Sequence, residues 1–159
     1  MKSIILSLSL FLLVTACYSQ EETNGTIYIK HPYIDVVNKT AKAYLERDVA
    51  TNTKLYSDTG RFWVSGLTKW IPIKEAFKMW DSDFNYYDSI QLKVVGYPDY
   101  LHYKDQDQKV VQSWWRWTAK SKKTGEKISV DEVIFDTFNS DGKIVSEAIY
   151  GDFSKLYKN

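Results

Sequence analysis

The chain has 159 residues, of which 44% are hydrophobic and 26% are charged, so it is long enough for one domain with a core and too polar for several membrane spans. Its 21 basic and 20 acidic residues nearly cancel, which gives no electrostatic reason to expect a nucleic-acid partner. One Cys and two His exclude a disulfide within the chain and a thiolate or His-rich metal site, and no motif implies a cofactor.

The N-terminus has the pattern of an export signal, with Lys2 followed by an apolar run over residues 4–14 that is too short to cross a membrane as a helix. Small residues before the single cysteine resemble a bacterial lipobox, which predicts removal of residues 1–16 and lipidation of Cys17. Cleavage after Ser19 is the alternative. We therefore expect an exported protein, either a lipoprotein of the bacterial cell envelope, held on the membrane by its lipid, or a periplasmic or secreted protein.

The first half of the predicted domain, which spans residues 31–159 after a tether over residues 17–30, is helical in pattern. Apolar residues recur at intervals of three and four in two stretches, and each stretch opens near a proline, a residue favoured in the first turn of a helix. Asp48 is a suitable N-cap for a short helix between them. The pattern predicts helices at about 33–47, 49–57 and 73–87, with a short strand over residues 61–65.

The second half alternates with period two, which is typical of strands. A first strand from residue 90 to 103 is interrupted by Gly96-Tyr97-Pro98, and polar turns then separate the others, of which Asn139-Ser140-Asp141-Gly142 is the strongest signal. The later strands are predicted at about 109–120, 127–138 and 143–152. Helices followed by long antiparallel strands predict an α+β fold with segregated elements, in which the sheet is long enough to curl around the helices.

This order of elements, with the sequence DGKIVSE at residues 141–147 followed by Tyr150 and Asp152, resembles the nuclear transport factor 2-like (NTF2-like) superfamily and in particular bacterial SnoaL-like proteins. The resemblance covers about residues 31–157. It implies a cone in which three N-terminal helices pack against a curved antiparallel sheet and enclose an apolar pocket. It also implies a homodimer formed through the outer sheet face. The superfamily includes isomerases, polyketide cyclases, dehydratases, epoxide hydrolases and proteins without activity, so the fold alone assigns no function.

Enzymes of this superfamily place acids inside the cone, so the resemblance directs attention to Glu147, Asp131 and Asp136 as candidate catalytic residues. Burial raises the pKa of a carboxyl toward neutral, which suits a general acid or base. Asp131 neighbours Glu132 on a strand, so the two must point to opposite faces. The position at which many members carry an aspartate on the last strand is Ile149 here, a departure that argues against the epoxide-hydrolase and cyclase chemistries.

Aromatic residues, at 16% of the chain, supply the candidates for ligand binding. Alternation along the predicted strand indicates that Trp115 and Trp117 face the helices while Trp114 and Arg116 face outward. The residues expected to contact a ligand are Tyr56, Trp63, Trp80, Trp115 and Trp117.

Three functions fit this pattern. The leading hypothesis is a domain that binds a small apolar or aromatic molecule in its cone without catalysis. The first alternative is a SnoaL-like isomerase, cyclase or dehydratase that uses a buried carboxylate. The second is a dimeric envelope module that binds a protein or a glycan through the outer face that carries Trp114 and Arg116. The directions of these side chains distinguish the three.

Overall fold

A computed structural model describes residues 23–156, so Cys17 and both predicted cleavage sites lie outside the described residues. The elements in this part of the chain are β1 (Gly25–Tyr28), α1 (Pro32–Leu45), α2 (Val49–Leu55), β2 (Tyr56–Val64), β3 (Ile71–Pro72), α3 (Ile73–Tyr86), β4 (Tyr87–Val94), β5 (Asp99–Tyr103), β6 (Gln108–Ser121), β7 (Lys127–Phe138) and β8 (Ile144–Gly151). No helix within residues 23–156 is long and apolar enough to cross a membrane.

The helices begin at local signals that the sequence contains. At the start of α1, the His31 Nδ1 accepts a hydrogen bond from the backbone N–H of Tyr33 at 3.2 Å, and Pro32 occupies the first turn. At the start of α2, the Asp48 carboxylate accepts from the backbone N–H of Thr51 at 2.9 Å, as its predicted capping role requires. Each cap satisfies a backbone donor that has no partner within its helix.

The strands form one open, mixed sheet in the order β1-β5-β6-β7-β8-β2-β3. Neighbouring strands are antiparallel except β2 and β8, which run parallel. The long strand β6 pairs with β5 over its first half and with β4 over its second half, so the predicted interruption at residues 96–98 separates two strands that share one partner. The three helices pack against this curved sheet, which confirms the predicted α+β architecture.

Strands β1 and β3 were not predicted from the sequence, and β2 begins earlier than predicted. Strand β1 lies inside the segment expected to be a tether and pairs with β5 along Gly25–Tyr28. Its Ile27 is 64% exposed, so no buried alternation marks the strand, and backbone pairing with β5 holds it in place. Strand β2 begins at Tyr56, earlier than the predicted 61, because its first residues pair with the start of β8.

The core lies between the helices and the concave face of the sheet. Strand β7 shows the alternation most clearly, since Val130, Glu132, Ile134 and Asp136 are buried and the residues between them are less so. The most deeply buried apolar side chains, none more than 2% exposed, include Tyr56, Phe62, Ile73, Val111 and Ile144. These residues belong to β2, α3, β6 and β8, so the core joins all layers of the fold.

Candidate functional site

A cavity of about 330 Å³ lies between the helices and the concave face of the sheet. This volume falls within the ~300–1,000 Å³ range of small-molecule sites. The walls are largely apolar, with Val37, Leu92 and Ile134 among them. The aromatic residues in the walls include Tyr44, Tyr56, Trp80, Tyr87, Trp115 and Trp117. Four of the five aromatic residues expected at a ligand site therefore line one cavity.

Trp63 does not line this cavity, so its predicted place at the ligand site is wrong. It follows Phe62, which faces inward, and successive residues of a strand point to opposite faces. The Trp63 indole N–H donates to the backbone oxygen of Leu67 at 2.9 Å, and its ring packs against Tyr150 with centroids 5.0 Å apart. Trp63 is thus part of the outer face of the sheet.

Four carboxyl groups from three elements line the cavity: Asp83 of α3, Glu132 and Asp136 of β7, and Glu147 of β8. The side chains of Asp136 and Glu147 are 1% and 5% exposed, so two of the three predicted acids do point inward. Strand β7 carries Glu132 and Asp136 on the same face because they are four residues apart.

Asp131 points to the opposite face, which corrects its candidacy as a catalytic acid. Its carboxylate oxygens accept hydrogen bonds from the Arg116 guanidinium at 2.6 and 3.0 Å on the exposed side of the sheet. The register of β6 and β7 explains why Glu132, and not Asp131, faces the cavity. Asp131 pairs with Arg116, and the next residue, Glu132, pairs with the inward-facing Trp115. The inward acid of this neighbouring pair is therefore Glu132.

Asp136 and Glu147 lie directly opposite each other across β7 and β8, and their carboxyl groups hydrogen-bond. The Tyr56 hydroxyl donates a second hydrogen bond to Glu147. Burial raises the pKa of Glu147 to about 7, although the hydrogen bonds from Tyr56 and Asp136 oppose this rise. Burial and the nearby Glu147 charge raise the pKa of Asp136 well above its usual range. Asp136 therefore holds a proton and donates it to the Glu147 carboxylate.

A second polar chain reaches Asp83 from the sheet. The Trp117 indole N–H donates to the Tyr44 hydroxyl at 2.9 Å, and this hydroxyl donates to Asp83 at 2.9 Å. Burial raises the pKa of Asp83 to about 6, against the lowering effect of the Tyr44 hydrogen bond. At neutral pH Asp83 is therefore mostly ionised.

Glu132 has no such support. Its side chain is 7% exposed, and within residues 23–156 it makes no hydrogen bond or ion pair. Burial, and then the charges of Glu147 and Asp83, raise the pKa of Glu132 to about 8. Among the described residues that line the cavity there is no lysine, arginine or histidine to balance these acids.

The described residues also lack a cluster of three or more His, Cys, Asp or Glu side chains arranged to hold a metal ion. Of the four carboxyl groups of the cavity, Asp136 and Glu147 form a hydrogen-bonded pair, Asp83 accepts from Tyr44, and Glu132 has no partner among the described residues. What they offer to a ligand is a set of separate proton donors and acceptors in an apolar space.

Sequence reasoning missed Asp83 and left Glu132 as one of two possibilities. Asp83 lies three residues after Trp80 in α3, so it continues the stripe that faces the sheet, and helical periodicity could have identified it. For Glu132 the alternation of β7 separates it from Asp131 but does not decide which of the two faces inward. That choice depends on which side of the sheet the helices cover.

The outer face carries Trp114 and Arg116, as the alternation of β6 predicts. Trp114 is half-buried, with Gly96 packed beside its ring, and the Arg116 guanidinium is held by Asp131. Phe135 and Tyr150 extend the same face, with ring centroids 5.8 Å apart. This surface is separate from the cavity.

No protein-family model and no curated protein matches the sequence. Solved structures do match in fold. A putative SnoaL-like polyketide cyclase from Jannaschia has a TM-score of 0.62 at 15% identity, over 88% of this chain and 96% of that one. An NTF2-like protein of unknown function from Exiguobacterium has a TM-score of 0.57 at 20% identity, over 74% and 98% of the two chains.

A protein with a ketosteroid isomerase-like fold from Catenulispora acidiphila, solved in complex with trimethylamine, has a TM-score of 0.57 at 13% identity, over 72% of this chain and 83% of that one. Together these structures confirm the predicted fold: the chain has the NTF2-like cone, a fold used by proteins of different activities.

Proposed function

We propose that the protein binds a small, largely apolar organic molecule in the cavity and catalyses a proton transfer on it, with Glu147 as the general base. One observation carries the proposal. Glu147 is a buried carboxyl with a pKa of about 7, in an apolar cavity, that accepts hydrogen bonds from Tyr56 and from protonated Asp136. A general base acts best when its pKa lies near the working pH, and this environment meets that condition.

The chemistry follows from the three side chains. At neutral pH about half of Glu147 is ionised, so a carboxylate is present to remove a proton from a C–H or O–H group of the ligand. Burial raises the pKa of Tyr56 well above its usual range, so the hydroxyl remains a neutral donor to Glu147. After the transfer, the Asp136–Glu147 pair holds two protons. One of them can return to a different atom of the ligand, which restores the pair.

This sequence of steps suits isomerisation, ring closure or dehydration next to a carbonyl group. Similar structures include a putative SnoaL-like polyketide cyclase and a putative isomerase from Bacillus subtilis, which supports this class of reaction. The chain carries Ile149 where the resemblance leads one to expect an aspartate. Glu147 lies two residues earlier on the same strand face, so its carboxyl meets the ligand at a different depth of the cavity.

Binding without turnover is the second candidate function. The apolar walls favour this function, because they can hold a ligand whether or not it reacts. Ile149 favours it as well, because its side chain has no proton to exchange. The complex of the Catenulispora protein with trimethylamine extends the ligands to be tested to small amines.

We propose further that the protein acts outside the cytoplasm as an exported, lipid-anchored homodimer. The lipobox pattern that ends at Cys17 supports export and anchoring. The aromatic outer face, with Trp63 and the 50% exposed Tyr150, supports self-association through the sheet, because aromatic residues are enriched at interfaces.

A base-sensitive probe tests the catalytic proposal without knowledge of the natural substrate. The ring of 5-nitrobenzisoxazole opens when a base removes its C3 proton and the N–O bond breaks, and the phenolate product is coloured. We expect turnover that rises with pH around 7 and that falls by about 100-fold or more in Glu147→Gln. Asp131→Asn, on the outer face, is the matched control and should behave as wild type. Turnover that is equal in Glu147→Gln and wild type would refute the role of Glu147.

A further inference from the structure

We infer that the cavity selects a cationic ligand, an apolar molecule that carries a protonated or quaternary amine, with the ammonium group held at Glu132 and Asp83. The inference rests on the proposed binding function and names the chemical class of the ligand. It assigns a task to Glu132, a residue that the proposed proton transfer does not use.

The charge of the cavity walls is the first argument. Four carboxyl groups line the space, and no basic side chain among the described residues lines it with them. An anionic ligand would meet only acids. A neutral ligand would leave the ionised carboxylates, Asp83 and the ionised fraction of Glu147, without a counter-charge, which is costly in an apolar environment. A cation supplies the charge that the protein itself does not provide.

Glu132 also lacks a partner among residues 23–156. Buried polar side chains in proteins are nearly always hydrogen-bonded. Glu132 is 7% exposed and borders the cavity, yet it makes no hydrogen bond or ion pair within the described part of the chain. One oxygen of Asp136, Oδ1, is also buried without a partner. Both groups leave acceptors for a ligand to satisfy.

Several of the hydrogen-bond donors around the cavity are already used. The Trp115 indole N–H donates to Ser113 at 2.8 Å, and that of Trp117 donates to Tyr44. The hydroxyls of Tyr44 and Tyr56 donate to Asp83 and Glu147. Carboxylate oxygens and aromatic ring faces make up much of what remains toward the ligand, and both attract a cation. A ligand that needs hydrogen-bond donors, such as a carboxylate or a sulfate, finds few.

Proton linkage follows from the same geometry. The titratable groups that line the cavity with Glu132 are Asp83 from α3, Glu147 from β8, Asp136 from β7 and the tyrosines of α1, α3, β2 and β4, all of them acids. In the empty cavity Glu132 is mostly protonated at pH 7, because its pKa is about 8. A bound cation favours the ionised form, so binding releases a proton and tightens as the pH rises toward 8.

The test uses the full chain and two probes of the same shape. Benzyltrimethylammonium carries a permanent positive charge, and in neopentylbenzene a carbon atom replaces its nitrogen. We expect the cation to bind about tenfold or more tightly than the neutral probe at pH 8, by calorimetry, with proton uptake by the buffer. The affinity for the cation should fall by about tenfold or more from pH 8 to pH 6.

Two variants test whether Glu132 is responsible for the preference for the cation. Glu132→Gln should weaken the pH dependence, leaving the part that comes from Asp83 and Glu147, and should lower the affinity for the cation by about tenfold, with the neutral probe unchanged. Asp131→Asn, one residue away on the outer face, should match wild type.

Equal affinity for the two probes in wild type overturns the inference, and this comparison needs no variant to fold. If neither probe binds while the Glu147-dependent ring opening of 5-nitrobenzisoxazole persists, the inference fails and the proposed function stands. If ring opening and binding are both absent, both proposals fail.

Discussion

Replacement of Glu132 by Gln should make the stability of the protein less dependent on pH. In the folded protein, burial and the charges of Glu147 and Asp83 raise the pKa of Glu132 from 4.5 to about 8. In the unfolded chain the group regains its ordinary pKa. Between these two values the folded state binds more protons than the unfolded state, so the free energy of unfolding falls as the pH rises. Gln does not titrate, so the variant lacks this contribution.

The size of the effect follows from the two pKa values. A change from 4.5 to about 8 corresponds to about 5 kcal/mol between the pH limits below and above both values. About 4 kcal/mol of this falls between pH 5 and pH 9. Because the net stability of a domain is about 5–15 kcal/mol, the effect is large enough to measure.

Urea unfolding of wild type and Glu132→Gln at pH 5 and pH 9 provides the assay. We expect the variant to gain about 4 kcal/mol relative to wild type between the two pH values. Asp131→Asn is the control. The hydrogen bond and charge of Arg116 lower the pKa of Asp131, so this group is ionised in both states throughout the range and its effect should not change with pH. A difference between wild type and Glu132→Gln that is the same at both pH values would refute the burial of an unpartnered Glu132.

Three further predictions concern other parts of the chain. Tyr56→Phe removes a hydrogen bond that lowers the pKa of Glu147, so the pH profile of 5-nitrobenzisoxazole turnover should move to higher pH; an unchanged midpoint would contradict the contact. Gly142→Ala should cost about 1 kcal/mol in urea unfolding, because Gly142 has a φ of 73°, which a side chain disfavours; an unaltered midpoint would argue against this turn geometry. Cys17→Ala should move the protein from the membrane fraction to the soluble fraction of its host, whereas a wild type that is already soluble would favour cleavage after Ser19.

Much of the fold could be predicted because its signals are local. The caps at His31 and Asp48, the period of the apolar residues in α1 and α3, and the turn at residues 139–142 each depend on a few neighbouring side chains. The geometry of each of these features depends only on residues that are close to it in the sequence. Strand β1 could not be predicted in this way, because only its backbone pairing with β5, more than 70 residues away, makes it a strand.

The candidate site was predictable in part. The resemblance pointed to Glu147 and Asp136, and the alternation of β6 identified the inward tryptophans. The resemblance also pointed to Asp131, and the alternation of β7 left Glu132 undecided, because period two defines two faces of a strand without saying which one the helices cover. The prediction that Trp63 contacts a ligand was wrong for the same reason, because its neighbour Phe62 is the residue that faces inward.

The sequence by itself determined the helices, the turns, the alternation of the strands and the acidic and aromatic residues available for a site, since these depend on local backbone preferences and side-chain spacing. Only the tertiary structure decided which strand faces the helices cover. That choice brings Asp83, Glu132, Asp136 and Glu147 from three elements into one cavity and leaves Asp131 outside with Arg116. The physical reason is that burial, and with it the pKa of each carboxyl, arises from packing between segments far apart in the chain.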